Sequence, residues 1–443
     1  MRPYLPFLCL GASLCGCATA ALRPPPPPRP LGEEPGTRIQ RGLEVEEPEG
    51  PLALRTALAL ALLRNPSLAA ASLDVRAAEA RRLQAGLLPN PEASYEVENS
   101  GGTLHGVEER TLALSQLVEL GGDRAARRAL ADSETDLAGW DYETRRLDVI
   151  TATAKDFVAV LGAQARTRVA EETVRIAEEV LRTARERAEA GDVSPVEVRR
   201  AEIDAATASI DREKAAAAAA AARARLAANW GAERSRFTEA MGDLGTEPPV
   251  PDLEALAPLL DRNPDLARLE SEIRSAEAEA EVEKAARVPD VTLGAGLRGF
   301  EETGDRGYAV GVSVPLPLFD RRQGSVAAAE AKVASARARR RAAELGLRAD
   351  LEGARAVLEA TVREARTLRT RVLPWAKEVL DAVTERYRAG KVGYLELLDA
   401  RRTFAEASAR ETEALAEMQS QRIEIERLIA GPLDGVPAPG TKE

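Results

Sequence analysis

Apolar residues recur three or four positions apart along two unusually long stretches of the chain, residues 124–190 and 347–383. This spacing places the apolar side chains on one face of an α-helix. A helix of about 65 residues would be roughly 100 Å long at a rise of ~1.5 Å per residue, which exceeds the core of one domain. The pattern therefore predicts two long helical rods, and Pro374 is expected to interrupt and kink the second.

Each rod is predicted to end at a glycine, beyond which the chain turns back as another helix. Gly191 suits the left-handed position that follows a helix, and Ser194 and Pro195 suit the cap and first residue of the next helix. Gly390 occupies the equivalent turn after the second rod. The return helices are expected at about residues 195–230 and 394–430. Each half of the chain thus contributes one helical hairpin.

Two pairs of segments alternate between apolar and polar residues, as strands with one apolar face do. Each pair precedes a rod, and a loop rich in glycine and acidic residues joins its segments, at residues 99–109 and 299–307. The apolar positions are Ala93, Tyr95, Val97, Leu112, Leu114, Val291, Leu293, Ala295, Leu297, Tyr308, Val310, Val312 and Val314. The sequence therefore predicts four strands, each with one apolar face and one polar or acidic face.

The order of helix, strand pair and two long helices occurs twice. Asn65-Pro66 returns as Asn263-Pro264, 198 residues later, and Gly191 returns as Gly390, 199 residues later. An offset that stays this close indicates an internal duplication. We predict a first structural repeat at residues 51–248, a second at residues 249–431 and a disordered tail at residues 432–443.

Strands of about 8 to 10 residues are long enough to cross an outer membrane at a tilt, with the apolar face toward lipid. Four strands cannot close a barrel, and open edges are not tolerated in lipid. Three copies of the chain would supply twelve strands and a helical barrel beneath them. The predicted fold is therefore mainly α with a membrane β-barrel portion, in a homotrimer. The alternative is an ordinary soluble sheet, one face of which is covered by the helices.

The first residues of the chain have the pattern of a bacterial secretion signal. The apolar run from Leu5 to Leu14 is too short to span a bilayer. Leu14 to Cys17 resembles a lipobox, which predicts a signal peptide at residues 1–16 and lipidation of Cys17. A plain signal peptide that is cut elsewhere is the alternative. Residues 17–50 are rich in proline and acidic residues, which predicts a stiff, extended linker.

Composition narrows the possible functions. The net charge is −11, and no basic patch indicates a nucleic-acid partner. The three cysteines all lie in the first 17 residues, and His105 is the only histidine, so the sequence offers no soft-metal site. It also lacks a Gly-rich phosphate loop and a histidine relay. We therefore expect no enzymatic activity, no cofactor and no resident metal.

Several motifs, taken in order, resemble those of the TolC-type outer-membrane efflux proteins. The resemblance covers roughly residues 50 to 431, nearly all of the predicted mature chain. The motifs are Asn65-Pro66, Asn263-Pro264, Leu88-Pro89, Val288-Pro289, the segment from Pro315 to Asp320, the segment from Tyr387 to Gly390 and the segment from Leu395 to Ala400. No single motif is decisive, but their order is specific.

The resemblance implies a homotrimer whose strands cross the outer membrane and whose helices form a tunnel through the periplasm. The far end of that tunnel would dock to a periplasmic adaptor protein and an inner-membrane pump, for which the RND type is favoured. Outer-membrane lipid would surround the strands, and the Cys17 lipid would anchor the chain there. Such a chain performs no chemistry, because the pump supplies the energy for transport.

Two groups of residues match functional positions of the family. The hairpin turns match the tunnel end where family members meet the adaptor; they are Gly191, Asp192, Val193, Gly390, Lys391 and Val392. Glu396 and Asp399 match a pair of acidic residues that narrows the tunnel mouth. Their spacing puts both carboxylates on one helix face, so three chains would form two rings of negative charge that favour cations.

In the first repeat Glu197 aligns with Glu396 and is expected at the same constriction of the tunnel mouth, but Arg200 replaces the second acid. An alternative for Glu396 and Asp399 is pairing with Arg401, Arg402 or a neighbouring helix.

The sequence is also compatible with two other functions. A duct of the same kind would also suit protein secretion with an ABC exporter, since the outer tunnel looks alike in both systems. A periplasmic coiled-coil lipoprotein scaffold would explain the rods and the lipid, although not the two strand pairs. The cargo of a duct, whether metal cations, drugs or protein, cannot be told from the sequence.

Overall fold

A computed structural model of the chain describes residues 46–98, 108–301 and 303–436. The predicted signal peptide, the predicted lipidation site Cys17 and most of the predicted linker lie outside the described residues. So do the tip of the first strand-pair loop and residues 437–443.

Long helices dominate the described chain and occur in the predicted order in both halves. The first half contains α1 (Leu54–Arg64), α2 (Pro66–Ala85), α3 (Asp123–Glu189) and α4 (Pro195–Ala228). The second half contains α5 (Leu253–Leu256), α6 (Pro264–Ala285), α7 (Gln323–Thr367), α8 (Leu373–Arg388) and α9 (Tyr394–Leu428), with 3-10 turns at Ala257–Arg262 and Leu433–Gly435. The 67 residues of α3 correspond to a rod of about 100 Å, as predicted.

All four predicted strands are present and form one antiparallel sheet. The described chain also contains two very short strands, β1 (Leu52–Ala53) and β4 (Ala240–Met241). The four predicted strands are β2 (Glu92–Glu98), β3 (Glu109–Val118), β5 (Val291–Phe300) and β6 (Arg306–Ser313). The four long strands follow the order β2-β3-β5-β6, while β1 and β4 pair separately in parallel. The two repeats therefore meet at β3 and β5, and the sheet has open edges at β2 and β6.

The predicted apolar residues share one face of this sheet. The strand register sets Tyr95, Leu112, Leu297 and Tyr308 in one row across the four strands. The next row on the same face consists of Ala93, Leu114, Ala295 and Val310, and the opposite face carries small or polar residues. The apolar face is open to the surroundings, since Tyr308 is 90% exposed and Val310 is 83% exposed. The soluble-sheet alternative requires the helices to cover this face, and they do not.

The long helices form a layer in which α3 packs against α4 and α9, and α9 also packs against α7 and α8. The two repeats meet at α3 and α9, just as they meet at β3 and β5 in the sheet. The shorter α2 lies on α3, and α6 lies between α3 and α7. The layer therefore ends at α4 on one side and at α7 with α8 on the other.

The two Asn-Pro signatures cap helices and tie them to the return helices. The Asn65 Oδ1 accepts the Ser67 N–H at 2.8 Å, and its Nδ2 donates to the Asn229 carbonyl at 2.8 Å. Asn263 likewise accepts from the Asp265 N–H and donates to the Leu428 carbonyl, each at 2.8 Å. An amide side chain can do both at once, and the proline after it fits the first helical position.

Asn263→Ala should lower the free energy of unfolding by about 2–4 kcal/mol. Loss of the cap costs about 1 kcal/mol, and the Leu428 carbonyl left without a partner costs roughly 1–3 kcal/mol, because Asn263 is fully buried. Asn65→Ala should cost less, since Asn65 is only partly buried. Denaturant unfolding of the detergent-solubilised protein, followed by helical circular dichroism, measures both. Equal losses for the two variants would contradict this account.

A π turn interrupts the second rod directly before Pro374. Residues Leu368–Val372 form the π turn between α7 and α8, and the Leu373 N–H bonds to the Leu368 carbonyl, five residues back. A proline lacks an N–H, and its ring clashes with the carbonyl four residues earlier, so a wider turn relieves both problems. The predicted interruption is confirmed, and it takes the form of one widened turn.

Ordered structure continues beyond residue 431, where the second repeat was predicted to end. Leu433 begins a 3-10 turn, is fully buried, and joins the apolar cluster between α7 and α9. The Arg422 Nη2 lies 2.6 Å from the Asp434 carboxylate. Residues 432–436 therefore belong to the folded part of the second repeat.

Among the described residues, no single helix is both long enough and apolar enough to cross a membrane, although α1 and α2, which meet at 41°, satisfy the two conditions together.

Candidate functional site

The two hairpin turns lie side by side at one end of the molecule. The Arg187 Nη1 donates to the Tyr387 carbonyl at 3.0 Å, and its guanidinium lies 4.9 Å from the centre of the Tyr387 ring. Arg388 also forms an ion pair with Glu179. These contacts hold the end of the second hairpin against the first and bring the predicted adaptor-contact residues of both repeats together.

Both turns use the same backbone geometry. Gly191 and Gly390 have φ values of 81° and 69°, in the left-handed region where a side chain would be strained. The next residue in each turn, Asp192 or Lys391, donates its N–H to a carbonyl five residues back, at 2.8 Å and 2.9 Å. The helices thus end in paired Schellman turns, as the glycines predict.

The predicted adaptor-contact residues differ in exposure. The glycines, Asp192 and Lys391 are exposed, whereas Val193 and Val392 are half-buried. Val392 packs against the apolar cluster between the hairpins. The exposed tip therefore offers one acidic and one basic side chain beside two glycines, while Val392 helps to hold the turn in place.

A tyrosine cluster joins the two hairpins behind the tips. Tyr387 and Tyr394 meet edge to face, with ring centres 6.2 Å apart, among buried residues of α3, α4, α8 and α9. The Tyr387 hydroxyl donates to the Glu197 carboxylate at 2.7 Å. Burial and this hydrogen bond raise the pKa of the Tyr387 hydroxyl far above its usual value. Glu197 is therefore engaged inside the chain, unlike its exposed counterpart Glu396.

A second polar link, which the sequence analysis did not predict, joins α4 to α9. Arg401 forms an ion pair with Asp204, and the two side chains are only 10% and 18% exposed. Burial, together with the nearby charge of Asp204, raises the pKa of the Tyr394 hydroxyl to about 12. Each charged residue interrupts an apolar stripe on its own helix, between Ala201 and Ala208 or beside Ala400. In the sequence, the signal for this ion pair was two residues of opposite charge, each placed within an apolar stripe.

Glu396 and Asp399 lie on the exposed face of α9, and the buried Leu397 lies on the other face. Arg401, one of the alternative partners, pairs instead with Asp204. Arg402 is the other alternative partner, and its Nε–H donates to the Glu406 carboxylate at 2.7 Å. The pKa of the Arg402 guanidinium is raised mainly by Glu406, with a smaller contribution from Asp399.

Within residues 46–98, 108–301 and 303–436, no three His, Cys, Asp or Glu side chains lie close enough together to hold a metal ion.

Comparison with known families places this architecture in an established class. The model of the outer membrane efflux protein family matches residues 57–232 and 256–431, once in each half. The chain therefore belongs to the outer membrane efflux protein family, as its motifs indicated. The family consists of efflux channels and not of enzymes.

Individual relatives agree with this assignment. The chain is 33% identical over 383 residues to the cobalt-zinc-cadmium resistance protein CzcC of Cupriavidus metallidurans, covering 86% of this chain and 91% of that protein. It is 31% identical to the nickel and cobalt resistance protein CnrC of the same organism, over 66% of this chain and 69% of that protein. A crystal structure of a membrane protein from Pseudomonas aeruginosa shares the fold, with a TM-score of 0.74 at 20% identity, over 85% of this chain and 92% of that one.

Proposed function

We propose that three copies of this chain form the outer-membrane exit duct of a tripartite efflux pump. The observation that carries the proposal is the four-stranded sheet, with an exposed apolar face and two open edges, continuous with a helical layer about 100 Å long. An apolar sheet face suits lipid, and open edges in lipid must be paired. Three copies, joined β6 to β2, would pair every edge and close a twelve-stranded barrel.

The helices would continue this barrel as a tunnel through the periplasm, and substrates would pass through it without chemistry. The exposed turn residues, Asp192 and Lys391 with their glycines, would contact a periplasmic adaptor. An inner-membrane pump of the RND type would supply the energy. A lipid on Cys17 would anchor each copy in the outer membrane.

Divalent transition-metal cations are the cargo that we propose for this duct. The supporting observation is the similarity to a cobalt-zinc-cadmium resistance protein along nearly the whole of both chains. Glu396 and Asp399 are exposed in the first turns of α9. At the end of a tunnel formed by three copies, their carboxylates would attract cations and repel anions. A duct has to release its cargo, so a ring of charge suits this task better than a tight binding site.

Deleting the gene should make its host more sensitive to cobalt, zinc and cadmium salts, with higher cell-associated metal. Growth assays and elemental analysis of washed cells measure the two effects, and the complemented strain serves as the control. Unchanged metal tolerance, together with loss of a secreted protein, would favour the protein-secretion duct instead.

Neutralising the acidic pair should weaken the preference of the channel for cations. In a planar bilayer, Glu396→Gln/Asp399→Asn should reduce the cation-to-anion permeability ratio several-fold, because carboxylate rings are strong determinants of selectivity. The matched control is Glu378→Gln/Asp381→Asn, which removes an exposed pair of the same composition and spacing from α8. An equal effect of both double variants, or no effect of either, would show that the acids on α9 do not form the constriction.

A further inference from the structure

A cavity of about 350 Å³ lies where the connector between the two repeats crosses the long helices. We call residues 229–252, between α4 and α5, the connector. Side chains of α3 and α9 form the walls of the cavity, connector residues between 239 and 245 form its rim, and Arg369 of the π turn also lines it. Small-molecule sites in proteins begin at about 300 Å³, so the cavity is large enough for a small ligand.

The connector is held closely against the helices at this rim. The Arg369 Nη1 donates to the Gly245 carbonyl at 3.1 Å. A Cβ built on Gly245 would lie 2.7 Å from the same guanidinium nitrogen, and one built on Gly242 would lie 2.9 Å from the Leu161 side chain. Glycine at both positions lets the connector backbone approach its neighbours this closely. The rim is therefore a fixed part of the fold.

Charged side chains of both signs line the cavity without pairing. Asp243 is engaged with the connector itself, because its carboxylate accepts the Gly245 N–H at 2.8 Å. In contrast, the side chains of Arg168, Glu239 and Glu411 have no ion-pair or hydrogen-bond partner among the described residues. Glu411 is also half-buried, so its carboxylate is partly withdrawn from water and would gain from a partner.

The cavity offers donors and acceptors to one ligand. Arg369 uses only its Nη1 for the connector, which leaves the rest of its guanidinium beside that of Arg168. Gln164 accepts from the connector through its Oε1, so its amide N–H groups remain to donate. The carboxylates of Glu239 and Glu411 can accept from a cation. The apolar part of the lining consists of Leu161, Ala165, Val169, Leu244 and Leu415.

We propose that this cavity binds a small zwitterion with a free amino group and a free carboxylate, as an amino acid or a short peptide has. The ligand carboxylate would pair with Arg168 and Arg369, and its ammonium group with Glu411, in charge-assisted hydrogen bonds. A ligand with only one of the charges would leave the lining groups of the other sign unpaired. The bound ligand would contact the connector and one long helix of each repeat.

Binding of alanyl-alanine to the full-length protein in detergent tests the proposal. A titration followed by saturation-transfer NMR should show saturable binding. N-acetyl-alanyl-alanine, which lacks the ammonium group, and alanyl-alanine amide, which lacks the carboxylate, should bind at least tenfold more weakly. If either blocked peptide binds as tightly as the free one, the cavity does not recognise a zwitterion. Alanine is titrated in parallel, and tighter binding of alanine or of the dipeptide identifies the better ligand.

Two variants test the location of the site. Arg168→Gln and Glu411→Gln should each weaken binding of alanyl-alanine at least tenfold. The matched controls, Arg166→Gln and Glu413→Gln, remove the same charges from exposed positions that do not line the cavity, and should bind like the wild type. The site variants lie on different helices, so either one suffices if the other fails to fold by circular dichroism. No saturable binding to the wild type, or equal binding to all four variants, would overturn the site.

Discussion

Val310→Arg is expected to abolish accumulation of the oligomer in the outer membrane. Val310 lies in the middle of β6, on the apolar face, and is 83% exposed. An arginine facing lipid near the centre of a membrane barrel costs about 2–4 kcal/mol. In a ring of three copies the same cost would recur three times, at about 6–12 kcal/mol in all, which is comparable to the whole stability of many folded proteins.

Gly311→Arg supplies the control for this prediction. Gly311 is the next residue of the same strand, so its side chain would point to the opposite, small or polar face. A Cβ built there meets nothing within 4 Å, and the backbone does not require glycine. Quantifying the oligomer in outer-membrane fractions by semi-native electrophoresis compares the variants. If both reach wild-type amounts, or if Gly311→Arg is lost equally, the apolar face does not meet lipid.

Arg401→Met should lower the free energy of unfolding by about 3–5 kcal/mol. The substitution leaves Asp204 as a mostly buried carboxylate without its partner, and removing one member of a buried ion pair carries a cost of this order. Because the pair joins α4 of the first repeat to α9 of the second, the hairpins should also become more susceptible to proteolysis near the turns. Denaturant unfolding and limited trypsin digestion in detergent measure the two effects.

Asp204→Leu/Arg401→Met tests whether the cost comes from the unpaired charge. Replacing both members by apolar residues of similar size should recover most of the lost stability, since apolar replacements of buried pairs are often neutral or stabilising. Arg402→Met serves as the surface control, because Arg402 and its partner Glu406 are largely exposed and such pairs contribute little. A double variant as unstable as Arg401→Met would argue against a simple ion-pair role.

The rods and strands could be predicted because their signals are local. The spacing of Ile176 and Val180 on a helix, or of Leu297 and Arg298 on a strand, already fixes which side chains share a face. The helix ends at Gly191 and Gly390 were predictable for the same reason, since a left-handed residue is a property of the turn itself. Because the pattern occurs in both repeats, it predicted the same order of helices and strands in each half of the chain.

Contacts between distant parts of the chain could not be predicted in this way. The hydrogen bond between Tyr387 and Glu197 spans 190 residues, and no periodicity indicates which helices lie side by side. The acidic pair on α9 was predicted from its spacing and from the family resemblance. Leu433 was placed in the predicted disordered tail, because a single leucine beyond a helix end gives no periodic signal, although it is fully buried.

The unlike edges β2 and β6 of the sheet have a genetic consequence. In the proposed ring β6 of each copy would pair with β2 of the next, so copies would associate head to tail, and a closed ring would contain as many identical seams as chains. A single chain with a blocked β6 edge could still offer β2 to a normal chain, and would leave that ring open. Co-expressed with the wild type in equal amounts, such a chain would spare only about one ring in eight under random mixing, so its alleles should act dominantly.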